Sequence, residues 1–94
     1  MKHHIIVKWN EKVTNRKALL EELEALFAPA REIEGVEGVR LIPNCVDRPN
    51  RYDLMIVIGM EKEALPNWDA SAVHHEWKER YGGLVGSKAI FDCE

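Results

Sequence analysis

The stretch Arg51-Tyr52-Asp53-Leu54-Met55-Ile56-Val57-Ile58-Gly59-Met60 contains the longest unbroken apolar run in the chain, from Leu54 to Ile58. A short run this rich in Ile and Val predicts a β-strand that is covered on both faces. Covering both faces requires two layers of structure, and a chain of 94 residues has little material for both. Self-association would supply the missing layer.

Length and composition predict a single soluble globular domain over residues 1–94. The chain is 46% hydrophobic and 31% charged, and its net charge of −3 is spread along the sequence. Without a basic stripe, nucleic acid is not an expected partner. No apolar run approaches the roughly 20 residues of a membrane span. The N-terminal apolar segment is too short for a signal peptide, so the expected location is the cytoplasm.

No sequence motif indicates a metal or an organic cofactor. Cys45 and Cys93 lie outside any zinc-ligand spacing and are expected to be free thiols. The chain also lacks a nucleotide-binding loop and a nucleophile elbow. We therefore expect neither a metal site nor a bound cofactor.

Hydrophobic periodicity, glycine and proline divide the chain into six main elements. The first half contains a strand over His3–Trp9, a helix capped by Thr14 or Asn15 and ended by Pro29, and a strand over Val39–Cys45. The second half contains strands over Arg51–Met60 and Lys88–Cys93. Between these two strands lies a helical segment over Glu61–Trp68, interrupted by Pro66 and continued by a helix from Asp69 or Ser71 to about Tyr81. The order is β-α-β-β-α-β.

This order predicts an α+β, ferredoxin-like fold, a four-stranded antiparallel sheet with both helices on one face. Right-handed crossovers place the first and third strands in the middle of the sheet. The uncovered face would then expose Ile6, Met55, Val57 and Ile90, a patch that monomers rarely carry. We therefore predict a homodimer whose two sheets face each other.

Four short motifs carry a family resemblance across nearly the whole chain. They are Lys2-His3-His4-Ile5-Ile6-Val7-Lys8-Trp9, similar to a K-H-x-x-x-x-K opening strand; Gly38-Val39-Arg40-Leu41-Ile42, similar to G-V-x-x-[LV]; Tyr52-Asp53-Leu54, similar to Y-D-[LA]; and Ser71-Ala72-Val73-His74-His75-Glu76-Trp77, similar to H-P-x-H-x-x-F without its first His and its Pro. In this order and spacing the chain resembles the stress-responsive dimeric α/β-barrel (Dabb) domains. The resemblance implies a dimeric barrel with a pocket in each protomer between sheet and helices.

Two histidines are the candidate catalytic residues. His74 shares a helix face with Trp77 and Tyr81, which favour burial, and the resemblance places His3 on the strand face toward the helices. Imidazole exchanges a proton near neutrality without a metal. The family includes a plant polyketide cyclase whose helix histidine acts as general base, and His74 matches that position. A third histidine and a tyrosine of that pocket are replaced here by Leu54 and Trp68. A structural role for both histidines is the alternative, with His3 bonded to His74 or to a backbone carbonyl.

Aromatic and aliphatic residues around these histidines predict a pocket for a flat apolar ligand or, alternatively, a packed core. The candidate ligand-binding residues are Trp9, Tyr52, Leu54, Ile56, Trp68, Trp77 and Tyr81. Asp53 alternates with Leu54, so its carboxylate is expected to point into the barrel and to pair with Arg40, Arg51 or the second protomer.

Three classes of function remain open from the sequence. The first is a dimeric domain that binds a small apolar or aromatic ligand. The second is a cofactor-free enzyme, a cyclase or a related lyase or monooxygenase, with His74 as base and His3 as its orienting partner. The third is a structural assembly, which would form higher oligomers and give no ligand response.

Overall fold

A computed structural model describes all residues, 1–94. Its strands are β1 (Lys2–Trp9), β2 (Val36–Pro43), β3 (Leu54–Met60) and β4 (Val85–Cys93), and its helices are α1 (Arg16–Phe27), α2 (Leu65–Asp69) and α3 (Ala72–Tyr81). Short 3₁₀ turns span Ala28–Glu32, Lys62–Ala64 and Gly82–Leu84. No helix is long and apolar enough to cross a membrane.

The four strands form one antiparallel sheet in the order β2-β3-β1-β4. The first and third strands are therefore central, as the sequence predicts. This is the ferredoxin-like arrangement, and the apolar run that begins at Leu54 occupies its middle.

The helices cover one face of the sheet. Alternate residues of β3, namely Leu54, Ile56, Ile58 and Met60, are buried beneath them and retain at most 4% of their surface. From β1, Ile5 and Val7 join this core. The period of two along each strand explains why their neighbours in sequence face the other way.

The opposite face of the sheet is not covered by the chain's own helices. Ile6, Met55 and Val57 are half-buried there, and Phe91 is 60% exposed. The prediction that Ile90 belongs to this face is wrong. Ile90 pairs with Ile5 on the helix side and Phe91 pairs with His4, because the register between β1 and β4 decides which set of alternating residues faces outward.

Element boundaries differ from the predicted ones mainly around glycine and proline. β2 begins at Val36, directly after Gly35, whose φ of +86° turns the chain where a side chain would meet Ala64. β3 begins at Leu54 rather than Arg51. Pro66 does not interrupt a helix but lies in the first turn of α2, where proline is tolerated because no helical donor is lost.

The helix caps agree with the sequence. Asn15 caps α1 by accepting a hydrogen bond from the Ala18 amide at 3.0 Å. Ser71 caps α3 by accepting from the His74 amide at 3.1 Å. The cap at Ser71 separates α2 from α3, and this break fixes the position of Trp68 and His74 relative to each other.

Candidate functional site

The space between sheet and helices is filled by aromatic side chains around Trp68. This indole is fully buried and stacks on Phe27, with 6.0 Å between ring centroids and 28° between planes. Its centroid lies 6.5 Å from that of His3 and 5.2 Å from that of His74. Trp77, 3% exposed, packs on Phe27 at 5.6 Å. The two candidate histidines thus contact one indole, which occupies the place where the sequence predicts a pocket.

His3 is held by β4 rather than by His74. Its Nδ1 lies 2.5 Å from Oδ1 of Asp92, the residue directly opposite it in the β1–β4 ladder. The imidazole is 8% exposed and the carboxylate 38% exposed. The predicted partners of His3, namely His74 or a backbone carbonyl, are therefore wrong, because the antiparallel register brings a carboxylate to this position instead.

His74 lies in the first turn of α3 and is half-buried. Its Nδ1 lies 2.9 Å from the carbonyl oxygen of Asp69. Because a carbonyl can only accept, Nδ1 is the donor in this bond, and Nε2 is the ring nitrogen left for a substrate. The ring borders a shallow polar concavity of the surface, lined by Asp69, Ala70, Ser71, Ala72, His74, His75, Lys78 and Glu79.

The predicted ligand-binding residues are distributed over three places. Trp9 and Leu54 line an apolar cavity, and Leu54 also borders a groove on the uncovered face of the sheet, where Tyr52 lies 41% exposed. The remaining residues, Ile56, Trp68, Trp77 and Tyr81, are at most 4% exposed and form part of the core. Burial raises the pKa of the Tyr81 phenol above its usual value, and its hydrogen bond to Glu22, at 3.2 Å, raises that pKa further.

A cavity of about 230 Å³ lies between α1 and the end of the sheet where β1 and β2 finish and β3 begins. It is lined by Trp9, Arg16, Lys17, Leu20, Leu23, Pro43, Asn44, Asp53 and Leu54. Leu20 and Leu23 follow from the helical periodicity of α1. Arg16 and Lys17 could not be predicted as site residues, because nothing in the sequence indicates which strand ends lie beneath the first turn of α1.

Asp53 is the polar centre of this cavity. Its side chain is 8% exposed, its Oδ1 lies 3.0 Å from Nη1 of Arg16, and its Oδ2 accepts a hydrogen bond from the Trp9 amide at 2.8 Å. The predicted direction and partners of Asp53 are wrong. Regular pairing of β3 starts only at Leu54, so strict alternation does not extend to Asp53, and its carboxylate turns toward α1.

The histidine region and the cavity beneath α1 offer different chemistry. Around the histidines the structure offers two oriented imidazoles that both contact the buried indole of Trp68. Beneath α1 it offers an apolar cavity with charged groups at its rim. No group of three or more His, Cys, Asp or Glu side chains is placed to hold a metal ion, and both cysteines are free.

Comparison with known proteins relates this geometry to solved structures. No protein-family model and no curated protein sequence matches the chain. A dimeric ferredoxin-like protein of unknown function from Thermobifida fusca matches with a TM-score of 0.79 at 12% identity, covering 96% of this chain and 85% of that one. A hydroxynitrile lyase from Passiflora edulis matches with a TM-score of 0.73 at 8% identity, covering 96% and 87%.

These matches define the chain as an α+β protein with a ferredoxin-like fold. A more specific relation is given by a dabb family protein with a ferredoxin-like fold from Mesorhizobium loti, which matches with a TM-score of 0.74 at 12% identity and covers 99% of this chain and 93% of that one. The Dabb resemblance predicted from the sequence motifs is thus confirmed at the level of the fold.

Proposed function

We propose that this chain is a Dabb-type domain that forms a homodimer and binds a small, mainly apolar ligand in the cavity beneath α1. The observation that carries the proposal is the cavity itself. It has a wall of Trp9, Leu20, Leu23 and Leu54, whereas the histidine region is filled by Trp68. Concave apolar sites with a few polar groups are where proteins bind small molecules.

The homodimer is supported by the uncovered face of the sheet. Phe91 is 60% exposed there and packs edge-on against His4, with ring centroids 6.1 Å apart. Ile6, Met55 and Val57 lie half-buried beside them on the central strands. An apolar sheet face of this kind is typical of an interface. The Thermobifida fusca protein with the same fold is described as dimeric, which favours a second copy as the partner.

Filling the cavity is expected to remove ligand binding without unfolding the protein. In Leu20→Trp an indole would occupy the space beneath α1, and the dissociation constant of 4-methylphenol should rise at least tenfold. Tenfold corresponds to about 1.4 kcal/mol, and burying one apolar side chain contributes about 1.5–3 kcal/mol. The measurement is a titration followed by two-dimensional NMR.

The matched control for this titration is Leu20→Met, which conserves volume and should bind 4-methylphenol as the wild type does. Saturable binding that is equally strong in Leu20→Trp would locate the ligand elsewhere. A wild-type protein that shows no saturable shift with 4-methylphenol, 4-methylbenzamide or 4-methylbenzoate would refute ligand binding by this cavity.

The second candidate function is a cofactor-free lyase with His74 as general base. It is favoured by one observation, the hydrogen bond that fixes Nδ1 of His74 as the donor and leaves Nε2 free to accept a proton. The match to the Passiflora edulis hydroxynitrile lyase suggests a substrate to try. In this scheme Nε2 would take the hydroxyl proton as cyanide leaves the carbon, and the products would be an aldehyde and cyanide.

If this second function holds, His74→Ala should lower the cleavage of 2-hydroxy-2-phenylacetonitrile at least about 100-fold, because general-base catalysis contributes roughly 10²–10⁴-fold. The assay follows aldehyde release. The control is Arg80→Ala, because Arg80 is exposed on α3, pairs with Glu76 and lies outside the concavity that His74 borders. Equal rates in the wild type, in both variants and in buffer would exclude the lyase.

A further inference from the structure

The charged side chains that line the cavity beneath α1, namely Arg16, Lys17 and Asp53, leave one positive charge in excess. The carboxylate of Asp53 is fully engaged, because Oδ1 faces Arg16 and Oδ2 accepts from the Trp9 amide. This pairing neutralises Arg16. Lys17, the next residue on α1, has no hydrogen-bond or ion-pair partner in the structure. One positive charge is thus left at the mouth of an apolar cavity, in a chain whose net charge is −3.

The other polar side chain at this rim is already used. Both ends of the Asn44 side-chain amide bond the backbone of Val46, its Nδ2 donating at 2.6 Å and its Oδ1 accepting at 3.2 Å. Asn44 therefore has little capacity to orient a neutral polar ligand. Lys17 is the cation lining this cavity that has no counter-ion, and its ammonium offers three donors to an anionic oxygen.

The volume of the cavity limits the body of the ligand. A cavity of about 150 Å³ is enough to hold benzene. Pockets for drug-sized molecules are larger, about 300–1,000 Å³. The 230 Å³ beneath α1 therefore suits one substituted ring or a branched chain of similar size.

We propose that the cavity selects small monocarboxylates, with the hydrocarbon part against Trp9, Leu20 and Leu54 and the carboxylate at Lys17. This inference rests on the ligand site proposed above and adds its chemical class. A single carboxylate matches the single unpaired cation. A second negative group would lie near the carboxylate of Asp53, which disfavours dianions.

The test compares two probes of equal shape, 4-methylbenzoate and 4-methylbenzamide, in NMR titrations at low salt. The wild type should bind the carboxylate at least about threefold more tightly than the amide. Lys17→Gln should weaken carboxylate binding by about threefold to fivefold, a modest effect because Lys17 is solvent-exposed, and should leave amide binding unchanged.

Lys62→Gln is the matched control. It removes the same charge from the turn that follows Met60, at the opposite end of β3 from the cavity, and should bind both probes as the wild type does. Equal affinities for the two probes, or an equal loss in Lys17→Gln and Lys62→Gln, would overturn the carboxylate preference alone, provided that Leu20→Trp still weakens binding at least tenfold. Absence of saturable binding by either probe would overturn both the preference and the cavity as a ligand site.

Discussion

Replacing Trp68 with alanine is expected to lower the free energy of unfolding by about 3–5 kcal/mol, the usual cost of deleting a large buried aromatic side chain. Trp68 is fully buried and is in contact with Phe27, His3 and His74 at once. Domains of this kind are stable by only about 5–15 kcal/mol. Thermal denaturation followed by circular dichroism should therefore show a fall in melting temperature of more than about 12 °C.

The control for this substitution is Trp68→Phe, which keeps a ring stacked on Phe27 and should lose clearly less stability. A loss below about 1 kcal/mol in Trp68→Ala would mean that the indole is not a core residue. It would also make the histidine region a candidate binding site, because the Trp68 indole could then be displaced from the space between His3 and His74 at little cost.

Introducing a charge at the centre of the uncovered sheet face is expected to convert the proposed homodimer to a monomer. Val57 lies on the central strand β3, between His4 of β1 and Arg40 of β2. In Val57→Arg, an unpaired charge would be buried next to Arg40 in the proposed interface. Burying an unpaired charge costs about 3–5 kcal/mol, which raises the dissociation constant at least about 100-fold. Sedimentation velocity at micromolar concentration measures the change.

Ala25→Arg provides the control for this experiment. Ala25 is exposed on α1, on the other side of the sheet, so the same charge is added away from the interface and the dimer should persist. Dissociation caused equally by both variants would indicate an effect of net charge. A wild-type protein that sediments as a monomer would refute the interface itself.

The cavity beneath α1 and the proposed dimer interface lie in different parts of the molecule. The cavity beneath α1 is lined by residues of the helix side, whereas the proposed interface uses the opposite face of the sheet. Most of the cavity wall therefore comes from one protomer. Pro43, Asn44 and Leu54 border both the cavity and the groove on the uncovered face. The proposed dimer interface would therefore adjoin the site at these three residues.

The sequence predicts residues of the candidate site but not the groups that they contact. Helical periodicity predicts His74 as a site residue because it places His74 beside Trp77 and Tyr81, and its helix and cap are as predicted. Its partner, the carbonyl of Asp69, depends on the break between α2 and α3 and has no sequence signal. Asp53 is unusual in an apolar stretch, and this indicates a paired carboxylate, but its partner Arg16 is 37 positions earlier in the chain.

The sequence alone determined the order of strands and helices and which strands are central, because these properties depend on local periodicity and on the few connections that βαββαβ permits. It could not determine the register of β1 against β4, which puts Asp92 at His3 and Phe91 on the uncovered face. Nor could it show that Trp68 fills the space at the histidines while Lys17 is left unpaired over a cavity. Those outcomes depend on register and side-chain packing between segments far apart in the chain, and only the tertiary structure sets them.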